Sequence, residues 1–261
     1  MSSTPRLLEG RIALVLGAAN KWSIAWAVGK RFSEAGAKVI LTYQDERFAE
    51  KMIAMCASLE NCSHFCCDLT QPAQVDALFS SIDKEHDGLD VVVHSVAYAL
   101  REDLDGRYLD TSCEGFQIAH TVSSYTLTIA ARAARPLMLK RGGGSIMTMT
   151  YHGSERVVPN YNIMGVAKAS LEANMRYLAA DLGPENIRVN ALSPGPINTS
   201  AARGIAGFTT MLQYARDRAP LRRNTDTEEV ADAALFMASN LSRGITGEVI
   251  YVDCGYNITA M

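Results

Sequence analysis

The 261-residue sequence has no long apolar run: nothing in it approaches the length of a membrane span, and its first ten residues lack the apolar core of a secretory signal. A cytoplasmic location without membrane association is the expectation. An excess of positive charge is also missing. With 25 Lys and Arg against 28 Asp and Glu the formal charge is −3, which leaves no long-range field to attract nucleic acid or an anionic bilayer. Small molecules and other proteins remain as partners. The six cysteines show no paired regular spacing, which reads as reduced thiols in a large core rather than a disulfide framework. Repeats, low-complexity tracts and linkers are absent, and 48% hydrophobic content suffices for one large core, so a single domain over residues 1–261 is expected.

What is present is an alternation of two patterns. Short, almost wholly apolar runs occupy residues 11–17, 37–43, 63–68, 90–96, 144–150, 187–192 and 248–253, as expected for strands covered on both faces. Between them lie stretches of helical period, such as Ile24, Ala27, Val28 and Phe32 before Gly36, and Val75, Leu78, Phe79 and Ile82 before Gly88. Seven strands alternating with helices predict an α/β, doubly wound parallel sheet of the Rossmann type, with a ligand beyond the carboxyl ends of the strands. Residues 198–218 form an additional helical stretch on that edge, which suggests a small helical insertion over the substrate.

After the first strand comes Gly17, then small residues, then Ser23-Ile24-Ala25 opening a helix. A pyrophosphate can sit against free amides at such a helix start, although the G-x-G-x-x-G pattern is absent and Gly17 and Ser23 read equally as strand end and helix cap. Gln44 follows the second strand, where this fold contacts the adenosine ribose, and Asp45 and Glu46 beside it repel a 2′-phosphate. NADH is therefore favoured over NADPH, with Arg47 as the opposing charge. Asp68 ends the third strand and suits either the adenine amine or a helix N-cap before Gln71.

Tyr161 and Lys168 are seven residues apart at the start of a helix, about two turns or roughly 10 Å along one face, so both can serve one extended ligand. Lys168 suits the nicotinamide ribose and Tyr161 a reacting carbonyl. Two other groupings carry less. Cys62, His64 and Cys66 alternate on a strand but lack a fourth metal ligand, so no metal is expected. Ser193, His94 and Asp68 fall at three different strand ends without a nucleophile-elbow spacing, and His94 reads as a support for the cofactor loop.

Taken together, Gly17-x5-Ser23-Ile24-Ala25, Thr42-Tyr43-Gln44, Cys67-Asp68, His94-Ser95, Tyr151-x9-Tyr161-x6-Lys168, the run from Val189 through Ser193 to Ile197, and Gly247-Glu248-Val249 resemble the enoyl-acyl-carrier-protein reductases of bacterial fatty-acid synthesis. These are a divergent branch of the short-chain dehydrogenase/reductases, and the resemblance spans essentially the whole chain. Most members of the wider family carry Tyr-x3-Lys, whereas position 165 here is Gly. The resemblance implies hydride transfer from NADH to the β-carbon of a trans-2-enoyl thioester. It makes Gly17, Ser23, Ile24, Gln44, Asp68, Leu69, Val96, Lys168, Ile197, Asn198, Thr199, Ser200 and Ala201 cofactor contacts. Tyr161 becomes the main catalytic residue and Tyr151 the second active-site tyrosine. Ala99, Met164, Ala201, Ile205 and Phe208 join the tyrosines around the substrate, while Met211 reads as helix packing. It further implies a homotetramer acting on substrate carried by acyl carrier protein.

Two departures stand out. Ala97 replaces the glycine usual beside the nicotinamide, which narrows the pocket by about a methyl group. Residues 204–210 lack the basic residues that meet an acidic carrier, leaving Arg203 nearby, so either Arg222 and Arg223 substitute or the thioester is a coenzyme A ester. A carbonyl reductase and a non-catalytic dinucleotide sensor are the alternative readings.

Overall fold

Every apolar run forms a strand: β1 (Ile12–Leu16), β2 (Lys38–Tyr43), β3 (Cys62–Cys66), β4 (Val91–His94), β5 (Gly144–Met149), β6 (Ile187–Pro194) and β7 (Val249–Val252). The computed structural model, which describes residues 6–199, 202 and 207–259, joins them in one parallel sheet of order β3-β2-β1-β4-β5-β6-β7. The helices are α1 (Ile24–Glu34), α2 (Ala49–Cys56), α3 (Pro72–Glu85), α4 (Cys113–His120), α5 (Thr126–Lys140), α6 (Asn162–Leu182), α7 (Phe208–Arg218) and α8 (Thr227–Ala238). This is the doubly wound topology expected from the alternation.

The strands read as continuous apolar runs because alternate side chains feed two different cores. Ala13 and Val15 of β1 pack with Phe32 of α1, Met52 of α2 and Val230 of α8. Leu14 and Leu16 point the other way, onto Leu78 of α3, Leu127 of α5 and Leu171 of α6. Each fully buried Val, Leu, Phe or Met among these contributes about 1.5–3 kcal/mol, so both layers, not one, hold the sheet. Strand order reverses between β1 and β4, and the crevice at their carboxyl ends is where ligands of this fold sit.

Two local devices shape that crevice. Gly17 turns the chain out of β1 with φ +88°, and a Cβ there would lie 2.4 Å from the Ser95 carbonyl oxygen, so only glycine lets the β1 and β4 loops approach this closely. Ser23 then caps α1, its hydroxyl accepting from the Trp26 amide. His94 is fully buried between Thr148 and Thr126, with ring-to-hydroxyl distances of 2.9 and 2.8 Å, and desolvation followed by the Lys168 charge pushes its pKa down to about 3. It is a neutral cross-link from β4 to β5 and the start of α5.

Two expectations are corrected. Cys56 and Cys62 form a disulfide, bridging the end of α2 to the start of β3 with Cα atoms 5.3 Å apart, so not all six cysteines are free thiols. The bond also removes Cys62 from any ligand set, and among the described residues no group of three or more His, Cys, Asp or Glu is placed to hold a metal. Asp68 is not the cap of α3, whose N-cap position is Gln71. Its carboxylate instead closes a local turn, accepting from the Thr70 amide and hydroxyl at 2.9 and 2.7 Å. Within 198–218 the described residues include α7. No helix among the described residues is long and apolar enough to cross a membrane.

Candidate active site

A cavity of about 520 Å³ opens at the carboxyl ends of β4, β5 and β6. Ile24, Ala97, Tyr98 and Ala99 form one side of its lining, and Pro194, Gly195, Pro196, Ile197 and Thr199 form another. Tyr151, Tyr161, Met164 and Lys168 also face it, with Phe208 and Met211 from α7. The sequence-predicted catalytic trio and the predicted acyl contacts Ala99, Met164 and Phe208 are thus brought to one chamber. Ser200, Ala201 and Ile205 lie outside the described residues. Asn198 is exposed beside Thr199, whose hydroxyl accepts from the Ala202 amide at 3.2 Å.

Tyr161 starts α6 between two left-handed asparagines, Asn160 (φ 61°) and Asn162 (φ 33°), a conformation asparagine tolerates better than other side chains bearing a Cβ. The Asn162 amide reaches the Leu104 and Gly106 carbonyls at 3.4 and 3.3 Å, which ties this turn to the loop before α4. The Tyr161 ring is 8% exposed and meets Tyr151 edge-on, centroids 5.0 Å apart. Burial drives both phenol pKa values upward, the Tyr151 ring adding to the effect on Tyr161, so both stay neutral hydroxyls across the working pH range.

Gly153 makes room for this ring pair. A Cβ there would fall 2.6 Å from Cδ1 of Tyr161 and 3.2 Å from Cδ1 of Tyr151. Gly153→Ala should therefore push the phenol out of line and lower kcat by up to roughly a hundredfold, with dinucleotide affinity unchanged. Single-turnover rates beside a fluorescence titration of NADH check both halves of that expectation.

Lys168 is almost fully buried and donates to the Met149 carbonyl at 2.7 Å, which fixes its ammonium at the cavity wall. Desolvation lowers its pKa to about 8, opposed by the Glu172 charge one turn further along α6. Glu172, itself buried, accepts a short hydrogen bond from the Thr150 hydroxyl.

Of the remaining predicted cofactor residues, Gly17, Gln44 and Asp68 stand just beyond the ends of β1, β2 and β3. Gln44 Nε2 donates to Asp68 Oδ2 at 3.3 Å, so the two predicted adenosine contacts form one polar edge. Burial alone would raise the Asp68 pKa, but bonds from Thr70 and Gln44 outweigh it and hold the group below its ordinary value. Arg47, the cation that could welcome a 2′-phosphate, faces Asp45 at 3.6 Å and lies over the Phe48 ring. Leu69 is packed in the core, and Val96 abuts Gly17. A capped helix start beside a left-handed glycine, a carboxylate and amide edge, and a buried cation fit the pyrophosphate, adenosine and nicotinamide-ribose portions of a dinucleotide.

Met211 is not mere helix packing: it lines the cavity, and its sulfur accepts from the Tyr151 hydroxyl at 3.4 Å. Arg101 and Leu104 also line the chamber without having been singled out, because the irregular segment they follow carries no periodic signal. Of the proposed basic substitutes for a carrier patch, Arg223 is already forked onto Glu229 at 2.8 and 2.6 Å, while Arg222 donates to the Asp217 carbonyl.

Comparison with known proteins agrees with this geometry. The family model described as enoyl-(acyl carrier protein) reductase matches residues 17–257. The NADH-named enoyl-[acyl-carrier-protein] reductase of Bacillus subtilis is 49% identical, over 97% of this chain and 98% of its own. The NADPH-named enzyme of Staphylococcus aureus is 47% identical over 96% and 98%. Among solved structures, the Anaplasma phagocytophilum reductase in complex with NAD superposes with TM-score 0.95 at 44% identity, covering 99% of this chain and 98% of that one. Site geometry, full-length similarity and fold all point the same way: the chain belongs to the enoyl-(acyl carrier protein) reductase family.

Proposed function

We propose that this chain reduces the carbon–carbon double bond of trans-2-enoyl thioesters in fatty-acid synthesis with NADH as the hydride donor. The observation that carries the reading is the convergence of a neutral buried phenol, Tyr161, and a buried ammonium, Lys168, on one mostly apolar chamber at the strand ends. NADH, when bound, supplies a hydride to the β-carbon. Negative charge then gathers on the thioester oxygen, and the buried Tyr161 hydroxyl donates a hydrogen bond to it from a mostly apolar wall. The α-carbon takes a proton from solvent to complete the saturated acyl chain. Lys168 holds the nicotinamide ribose and keeps a positive field behind the reacting oxygen. Tyr151 buttresses the Tyr161 ring, and Met164, Phe208, Met211 and Ala99 enclose the acyl chain.

NADH is the preferred donor because Asp45 both repels a 2′-phosphate and occupies Arg47, the nearby cation that would compensate. The physiological substrate is carried on acyl carrier protein, and the working assembly is a cytoplasmic homotetramer. Steady-state rates with NADH and NADPH, each paired with crotonyl and longer enoyl groups on carrier protein and on coenzyme A, test the substrate and cofactor assignments together. Turnover of ketones but not of enoyl thioesters would replace this function with carbonyl reduction. Sedimentation tests the assembly.

A further inference from the structure

The polypeptide between α4 and α5 is not α-helical: residues Thr121–Tyr125 form a single π-turn. An inserted residue of this kind rotates everything beyond it by about 100° and weakens the helix locally, so it persists where tertiary contacts need it. Its central side chain, Ser123, is fully buried. The hydroxyl accepts from the Tyr98 amide at 3.0 Å and donates to the Tyr98 carbonyl at 3.0 Å, closing both backbone groups of one residue. Tyr98 lies in 95–100, a segment with neither helix nor strand, and with Ala97 and Ala99 it forms a wall of the cavity. Ala99 in turn packs in a small cluster with Tyr161 and Met164. The neighbouring Ser124 points elsewhere, to the Ser170 hydroxyl on α6 at 3.1 Å, so the π-turn sends two adjacent hydroxyls to two different elements.

We propose that Ser123 is the positioning residue of the acyl pocket, and that the π-turn serves to aim its hydroxyl at Tyr98 so that the wall 97–99 stands at a fixed distance from Tyr161. The start of this segment is tied to β1 by the Ser95 amide on the Leu16 carbonyl, and Ser123 is what fixes Tyr98 further along, whereas Tyr161 is held separately at the start of α6. Loosening the wall therefore degrades the fit of the acyl chain more than the chemistry. The inference rests on enoyl reduction as the activity, and wild-type turnover of enoyl thioesters tests that premise separately.

The experiment compares wild type, Ser123→Ala and Ser124→Ala, using NADH with crotonyl and dodecenoyl thioesters. Ser123→Ala should raise the enoyl KM by about tenfold, while kcat and the NADH Kd stay within about threefold. Ser124→Ala, which removes a hydroxyl from the same turn without touching the loop, should leave the enoyl KM within about twofold of wild type. An unchanged enoyl KM in Ser123→Ala, or an equal rise in Ser124→Ala, overturns the proposal. Amide exchange in the wild-type enzyme supplies a test that needs no variant. The Tyr98 amide should be protected in the absence of ligand, and exchange at the rate of an open loop overturns the proposal even if Ser123→Ala fails to fold.

Discussion

Replacing Tyr161 with Phe should lower kcat for enoyl thioester reduction by roughly a hundredfold to a thousandfold while leaving NADH affinity and thermal stability near wild type, the loss expected for one oxyanion donor. The environment of the phenol sets this expectation. Burial raises its pKa, so the oxygen carries its proton throughout the working range and donates without ionising. Among the described residues none forms a hydrogen bond to that hydroxyl, so deleting the oxygen orphans no partner and the ring still fills its place against Tyr151 and Met164. Any loss must then be a loss of transition-state stabilisation, visible as equal falls in kcat and kcat/KM. Retained turnover in Tyr161→Phe would remove the phenol from the mechanism. Loss of NADH binding with turnover would show instead that the ring is structural. Gly153→Ala differs in keeping the hydroxyl but misplacing it.

Much of this site is legible in the residues because the fold dictates where it must be. Runs such as 11–17 and 90–96 are apolar on both faces only if helices cover both, and the strand ends of such a sheet define the crevice. Helical spacing then puts Tyr161 and Lys168 within reach of one ligand, and the resemblance to the enoyl reductases is what implies their roles. Other features depend on contacts between distant segments and leave no local trace. The π-turn at Thr121 to Tyr125 has no sequence signature, since it is selected by what Ser123 and Thr126 bond across the core, at Tyr98 and His94. Cys56 and Cys62 pair because α2 ends beside the start of β3, a distance that spacing does not reveal. Met211 sits at an apolar position of α7, and nothing in the sequence says that the Tyr151 hydroxyl meets its sulfur. The role of Gly153 is equally silent, because a missing Cβ acquires meaning only once two rings stand beside it.

Lys168 links chemistry to stability with opposite signs. Its ordinary pKa of 10.5 is lowered to about 8 by desolvation, with Glu172 resisting the change. Below pH about 8 the folded protein holds a buried cation at the cavity wall. Above it the charge is lost, so NADH affinity should fall as pH rises through that value, while Tyr161 contributes no ionisation in the same range. Stability moves the other way. Between pH about 8 and 10.5 the unfolded chain still binds a proton that the folded chain has released, so this group makes unfolding harder as pH rises, by about 1.4 kcal/mol per pH unit at most. Lys168→Met should abolish both trends. It should weaken NADH binding by roughly a hundredfold at pH 7, the loss of a desolvated charge with its hydrogen bonds. The melting temperature should fall by no more than a few degrees, because relief of a charge that was costly to bury offsets the orphaned Met149 carbonyl and a Glu172 carboxylate left with Thr150. Calorimetric NADH affinities and melting temperatures of both proteins from pH 6 to 10 provide the measurement. A variant that loses its fold with its affinity, or a wild type whose NADH affinity is flat across pH 8, would mean that the buried ammonium does not face the dinucleotide.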